Sequence, residues 1–280
     1  MEYSFMRRAL VAVFALAMAA APLGCLLIVR RMSLVGDAMS HAMLPGAALG
    51  FLVAGLSLPA MSLGGFAAAL LVALGAGFVT RNTEQREDTS FAALYLIALA
   101  AGVVMVSGGG TQIDLMHLLF GSVLAVDNAA LIQIAGVSGA TCILLAMFYR
   151  PILMDSLDPG FTRRMGRTGV FTHGLIIVLM VANLVSAFHA LGTLMAIGLM
   201  MLPPAAARFW CKSLPATMGL AIAFAMLSGF AGLSLSYHYA VPSGPSIVLF
   251  AGALYGMSMA MGPNGSVRIA FGKPKFHTTG

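Results

Sequence analysis

The sequence predicts an all-α protein, a polytopic bundle of membrane-spanning helices. Three observations carry that reading. Of its 280 residues 60% are hydrophobic and only 9% charged, whereas a soluble domain carries about 25% charged residues. Mean hydropathy is +0.97. The apolar residues also form long aliphatic runs, not the alternating stretches of about ten residues that a membrane barrel uses.

A helix needs about 20 apolar residues to cross the hydrocarbon layer. Nine segments approach that length: 9–29, 35–56, 60–79, 89–107, 128–149, 170–188, 190–207, 215–235 and 246–262. The sixth and seventh are separated only around His189, so the count is eight or nine. The first segment follows Arg7 and Arg8 and runs to Val29 without a small-residue cleavage site. It reads as a retained helix. With the N-terminus outside, segments 30–34, 80–88, 150–169, 208–214 and 263–280 face the cytoplasm and hold thirteen of the fifteen Lys and Arg residues. The positive-inside rule therefore favours N-terminus out and C-terminus in, in the inner membrane. The net charge of +6 belongs to these loops. Its basic residues stand singly or in pairs, which excludes a nucleic-acid footprint. Cys25, Cys142 and Cys211 lie in or beside apolar runs and form no CxxC, which argues against a disulfide framework.

Two stretches between the spans stand out. Outside, Ser107–Asn128 opens on a glycine run, and Ile113–Val126 is too short to cross, so a short re-entrant helix is expected there. Asp114 and His117 sit three residues apart on it. They are weak candidates for a pathway, with an N-cap as the plainer role for Asp114. Inside, the connection 150–169 carries Asp158 and Pro159, a helix-start pattern, followed by the basic stretch 160–167. That is either a solvated positive loop or a docking helix for a soluble partner. The whole chain, 1–280, reads as one transmembrane domain with a cytoplasmic tail from about 263. Small residues recur at helical spacing, as in Gly46–Gly50 and Gly64–Ala68, and allow close packing in lipid. The 21 methionines read mainly as adaptable packing residues.

The chemistry concentrates in 30–51, RRMSLVGDAMSHAMLPGAALGF. Asp37 and His41 are four residues apart, one helical turn, and so share a face. His41 lies ten residues beyond Arg31, about 15 Å by helical rise. That is close to mid-depth in a hydrocarbon core about 30 Å thick. A carboxylate and an imidazole at that depth must face a bundle interior or a water-filled cavity. Together they can ligate one divalent transition metal. A helix-locking hydrogen bond and a proton relay remain open alternatives. Met39 and Met43 are turned away from this face by about 200°. Pro45 lacks an N–H and crowds the carbonyl of His41, so a kink is expected beside the pair. Asn183 in the sixth span either hydrogen-bonds a neighbouring helix or lines a pathway, and His189 is a further, weaker pathway candidate. No phosphate-cradling Gly-x-x-x-x-Gly-Lys-Ser/Thr loop, HExxH, GxSxG or GxGxxG appears. No enzyme site is visible, and ATP would have to be hydrolysed by another chain.

The stretch 30–51 resembles the signature of permease subunits of bacterial zinc/manganese ATP-binding-cassette importers. The likeness continues in order through Glu87-Asp88-Thr89, DLMHLLFGSVLAV (114–126), LDPG (157–160), MLPPAAAR (201–208) and LSYHYAVPSGP (235–245). The resemblance implies a transport subunit with no permanently bound cofactor and with zinc, or next manganese, as the cargo. It implies a homodimer, two cytoplasmic ATP-binding subunits and an extracytoplasmic metal-binding protein. It gives Asp37 and His41 a part in metal passage. It also matches the region of Asp158, Pro159, Gly160, Phe161, Arg163 and Arg164 to the helix that couples to the ATPase subunit. His189 before Ala-Leu-Gly departs from the common pattern. Two other classes remain: a self-sufficient ion-coupled carrier, and a permease for metal chelates such as haem or siderophores.

Overall fold

The computed structural model describes residues 4–55, 57–83, 87–108, 126–157, 168–239 and 241–265. The expected re-entrant helix with Asp114 and His117, the stretch from Asp158 to Arg167 and most of the C-terminal tail lie outside the described residues. Every regular element among the described residues is helical. In chain order these are α1 (Ser4–Val29), α2 (Val35–Ala42), α3 (Leu44–Ala54), α4 (Leu58–Asn82), α5 (Glu87–Gly108), α6 (Asn128–Met147), α7 (Tyr149–Leu157), α8 (Thr168–Leu191), α9 (Thr193–Ala207), α10 (Leu214–Tyr239) and α11 (Ser243–Met261). Six of them, α1, α4, α6, α8, α10 and α11, contain stretches long and apolar enough to cross a membrane. Two more, α5 and α9, contain shorter apolar stretches, 89–105 and 193–207. The second expected segment is broken into α2 and α3.

The core lies along α1, α8 and α9. Leu16, Leu23, Leu26 and Leu27 of α1, Met180 of α8 and Leu199 of α9 are all at most 1% exposed. α1 packs against α6, α8, α9 and α10, while α3, α4 and α5 form a second group that reaches the core through α2 and α8. The outer helices bare aliphatic and aromatic stripes, such as Leu63, Leu71, Leu74 and Phe78 on α4. Such large apolar patches suit lipid rather than water.

Lipid is as apolar as a leucine, so close packing rather than water exclusion must join these helices. α3 and α4 show how. The two small-residue pairs in the sequence meet face to face, because a Cβ at Gly46 would strike the Gly64 carbonyl and the Ala68 methyl. The Gly50 backbone similarly meets Ala60.

Three local features correct or extend the sequence expectations. The sixth and seventh segments divide at Gly192, not at His189. Residue 192 has φ +80°, a left-handed conformation that glycine adopts without a steric penalty, and α8 runs on through His189 to Leu191. The connection 150–169, expected to face the cytoplasm, is already helical before Asp158, since α7 occupies 149–157 with Pro151 tolerated in its first turn. α1 ends in a Schellman motif: Met32 N–H donates to the Leu27 carbonyl at 2.9 Å and Arg31 N–H to the Ile28 carbonyl at 3.1 Å. Its left-handed residue is Arg31, φ 59°, where glycine is usual. A side chain there costs about 1 kcal/mol or more, so the surrounding packing holds this turn.

Gly46→Ala should lower stability in detergent by roughly 1–3 kcal/mol, the usual cost of overpacking. Gly77→Ala on the same α4, where a Cβ meets nothing within 4 Å, should be neutral or slightly stabilising. Thermal unfolding of the purified variants checks both.

Candidate metal site

α2 is only eight residues long, and its packing is lopsided. Val35, Gly36, Ala38, Met39, Ser40 and Ala42 are buried against α4, α5, α8 and α9. The open stripe runs through Leu34, Asp37 and His41. The His41 and Asp37 side chains are 32% and 55% exposed, with Nε2 and Oδ1 3.7 Å apart. That separation is too long for a hydrogen bond. It leaves both groups with unused lone pairs directed to the same side of the helix. Met39 and Met43 are 1% exposed and lie on the packed side, as their angular offset predicts.

The local sequence accounts for the shape. Pro45 has no N–H to return to the His41 carbonyl, and the helix is interrupted at Met43, between α2 and α3. The chain continues with helical bonds on both sides of the break, Met43 N–H to Met39 O at 3.2 Å and Ala47 N–H to Met43 O at 3.0 Å. Pro45 itself packs against Gly102 of α5. From the same helix Tyr95 lays its ring along His41, with centroids 6.1 Å apart and planes inclined by 27°. Sequence reasoning passed over Tyr95. Its only signal was a polar-tipped aromatic within an otherwise aliphatic span.

Among the described residues no three His, Cys, Asp or Glu side chains cluster closely enough to hold a metal ion. Among the described residues the Asp37–His41 pair offers two candidate donors, fewer than the four of a closed zinc site. The donor set itself, one carboxylate and one imidazole, suits zinc, manganese or iron(II).

The other sequence candidates fall elsewhere. Asn183 is 1% exposed. Its Nδ2 donates to Thr141 Oγ1 of α6 at 2.7 Å and to the Leu179 carbonyl at 2.8 Å, while Ser138 Oγ donates to its Oδ1 at 3.5 Å. It is a hydrogen-bonded tie between α6 and α8, away from any open surface. The backbone of His189 lies in the last turn of α8; its side chain is outside the described residues. His238 is satisfied within its own helix, Nδ1 donating to the Ser234 carbonyl at 2.8 Å.

A second polar cluster escaped the sequence reading. At the C-terminal end of α1, Arg30 Nη2 meets Asp155 Oδ2 of α7 at 2.7 Å, with side chains 8% and 9% exposed. Arg30 Nε donates to Ser156 Oγ at 3.0 Å, and Thr172 Oγ1 of α8 donates to the same Asp155 oxygen at 2.8 Å. Breaking a buried pair of this kind costs about 3–5 kcal/mol. Arg30 was legible only as an interfacial basic residue. Its partner is 125 positions away.

Comparison with known proteins adds an independent line. The model of the ABC 3 transport family matches residues 2–262. The chain is 32% identical over 276 residues to the manganese transport system membrane protein MntC of Halalkalibacterium halodurans, covering 98% of this chain and 93% of that one. It is 31% identical over 260 residues to a probable iron transport system membrane protein of Haemophilus influenzae, covering 93% and 94%. Its fold superposes on the structure of PsaBC from Streptococcus pneumoniae in complex with Fab with a TM-score of 0.82, at 29% identity and 95% coverage of both chains.

The two kinds of polar residue should separate in a stability assay. Asn183→Ala removes a buried inter-helix tie and should cost roughly 0.6–1.7 kcal/mol, the range for such bonds in membrane bundles. Asp37→Ala, half-exposed and not hydrogen-bonded to His41, should change stability by less than about 0.5 kcal/mol. Unfolding in mixed micelles measures both.

Proposed function

The chain belongs to the ABC 3 transport family, and from that premise we propose that it is the membrane-spanning subunit of an ATP-driven importer for a divalent metal ion. The observation that carries the reading is the open stripe of α2, with Asp37 and His41 3.7 Å apart. Ligands left open on one chain fit an ion that is passed along rather than stored.

A carboxylate and an imidazole facing hydrocarbon are costly, so something other than lipid covers the stripe. A second copy of the chain, placed with its own α2 stripe opposite, brings two carboxylates and two imidazoles to one axis. That arrangement supplies four ligands and puts the pathway between the two subunits. Water completes the shell where the ion prefers more than four ligands. Tyr95 holds the His41 ring from the side, and the break before Pro45 lets α2 shift without dragging the whole of α3.

The proposed topology has nine crossings: α1, the broken pair α2–α3, α4, α5, α6, α8, α9, α10 and α11. α7 stays on the cytoplasmic side with the connection 158–167, where Asp158, Pro159, Gly160, Phe161, Arg163 and Arg164 would meet the ATP-hydrolysing subunit. The N-terminus is then outside and the C-terminus inside, in keeping with the distribution of Lys and Arg. An extracytoplasmic binding protein delivers the ion. Ligand chemistry admits zinc, but the manganese relative moves manganese ahead of it as cargo, and the iron-named relative makes iron(II) the second reading.

In proteoliposomes holding the permease, its ATPase subunit and its binding protein, Asp37→Asn or His41→Ala should lower manganese uptake by more than about tenfold. Even outer-shell changes at metal sites reach that size. Membrane levels should remain normal. Wild-type uptake in both variants would rule out the pair. Competition among Mn2+, Zn2+ and Fe2+ identifies the cargo. Uptake by the permease alone, driven by an ion gradient, would replace this mechanism with a self-sufficient carrier.

A further inference from the structure

The buried cluster around Arg30 adjoins the turn that leads into the N-terminus of α2, whereas the α2–α3 break lies at the C-terminus of that helix, and the proposed pathway does not use the cluster. Its position in the chain is specific. Arg30 closes α1, and the Schellman turn through Arg31 and Met32 leads into α2 at Val35 within five residues. Asp155 and Ser156 are in the last turn of α7, and Thr172 is in the second turn of α8. α7 and α8 are the two helices joined by segment 158–167. One set of side chains therefore links the helix that feeds α2 with both helices that flank that connection.

We propose that Arg30, Asp155 and Thr172 form a rigid joint that makes the inner ends of α1, α7 and α8 move as one body. They are positioning residues, which set where α2 carries Asp37 and His41 whenever segment 158–167 is displaced. This rests on the docking role given to that segment above.

The physical case has two parts. First, a buried ion pair contributes little net stability compared with apolar packing, and its best-attested use is to fix register or state. The bonds here are directional, short and shared among three helices: Nη2 to Oδ2 at 2.7 Å, Nε to Ser156 Oγ at 3.0 Å, and Thr172 Oγ1 to Oδ2 at 2.8 Å. Ser156 Oγ in turn donates to the Ile152 carbonyl at 2.7 Å, so it is tied to α7 as well. Secondly, the link from Arg30 to α2 is stiff. The turn is closed by two backbone bonds, Met32 is 5% exposed, and Val35 N–H returns to the Met32 carbonyl at 3.2 Å. Arg31 holds a left-handed conformation there; residues kept in such conformations cluster at switch regions.

The test uses the reconstituted complex of permease, ATPase subunit and binding protein, with Mn2+ as probe. Asp155→Asn keeps the shape and removes the charge. Thr172→Val removes the hydroxyl that bonds Asp155 Oδ2 and the Gly169 carbonyl and leaves the ion pair. Both complexes should assemble and hydrolyse ATP, while Mn2+ moved per ATP falls by about tenfold in Asp155→Asn and less in Thr172→Val, the scale of ordinary inter-site coupling. Asp155→Glu should recover part of the ratio. An unchanged ratio in all three, or parallel loss of assembly and hydrolysis in both Asp155→Asn and Thr172→Val, overturns the joint.

A second readout does not depend on the cargo. Spin labels at Ser33→Cys and Met154→Cys, both at exposed positions, are placed in one copy of the chain beside an unlabelled copy, in a background of Cys25→Ala, Cys142→Ala and Cys211→Ala. They should give one narrow distance distribution with and without ATP, and a broadened one in Asp155→Asn. Equal widths overturn the proposal. A wild-type complex that moves no divalent metal would instead overturn the transport reading, and the label distances would still decide the joint.

Discussion

The structure is organised by the cost of leaving a polar side chain unmet in hydrocarbon. Three polar groupings answer that cost in different ways. Asn183 is satisfied inside the bundle by Thr141 and its own helix. Arg30 and Asp155 are satisfied by each other and by Ser156 and Thr172. Asp37 and His41 stay partly open among the described residues, side by side on the unpacked stripe of α2. The first two groupings hold helices together. The third is the one on which the proposed function rests.

Packing makes that contrast possible. α2 is short, and neighbours cover it on every side but one, so its open stripe has a fixed direction. The neighbours are held in turn by close backbone contact. Gly46 against Gly64 and Gly50 against Ala60 bring α3 onto α4, and Gly102 brings α5 onto Pro45. Bulk at any of these crossings would displace the frame around α2 rather than α2 alone. The break before Pro45 lies where this frame meets the polar pair, so the point of lowest helical continuity is next to Asp37 and His41.

The opposite end of α2 is anchored differently. A tight turn with a left-handed arginine joins it to α1, and a buried ion pair joins that turn's neighbour to α7 and α8. α2 is thus held through a tight turn at its N-terminal end and interrupted at its C-terminal end. Its polar stripe lies between the two.

The sequence by itself determined the features that depend on local geometry. Composition determined an all-helical membrane protein. The four-residue spacing put Asp37 and His41 on one face, and Pro45 predicted a break next to them. The glycine spacing marked the surfaces on which α3 and α4 meet. All of these follow from the rise and twist of a single helix, or from one residue's missing N–H or Cβ. Tertiary structure alone decided which face of each helix is covered. These spans are apolar all round, so they lack the polar side that would reveal their rotation. For the same reason the partner of Asn183, the ring of Tyr95 beside His41 and the exposure of the pair could not be read from the chain. Nor could the pairing of Arg30 with Asp155, because a contact across 125 positions is set by how helices stack and not by any period within them.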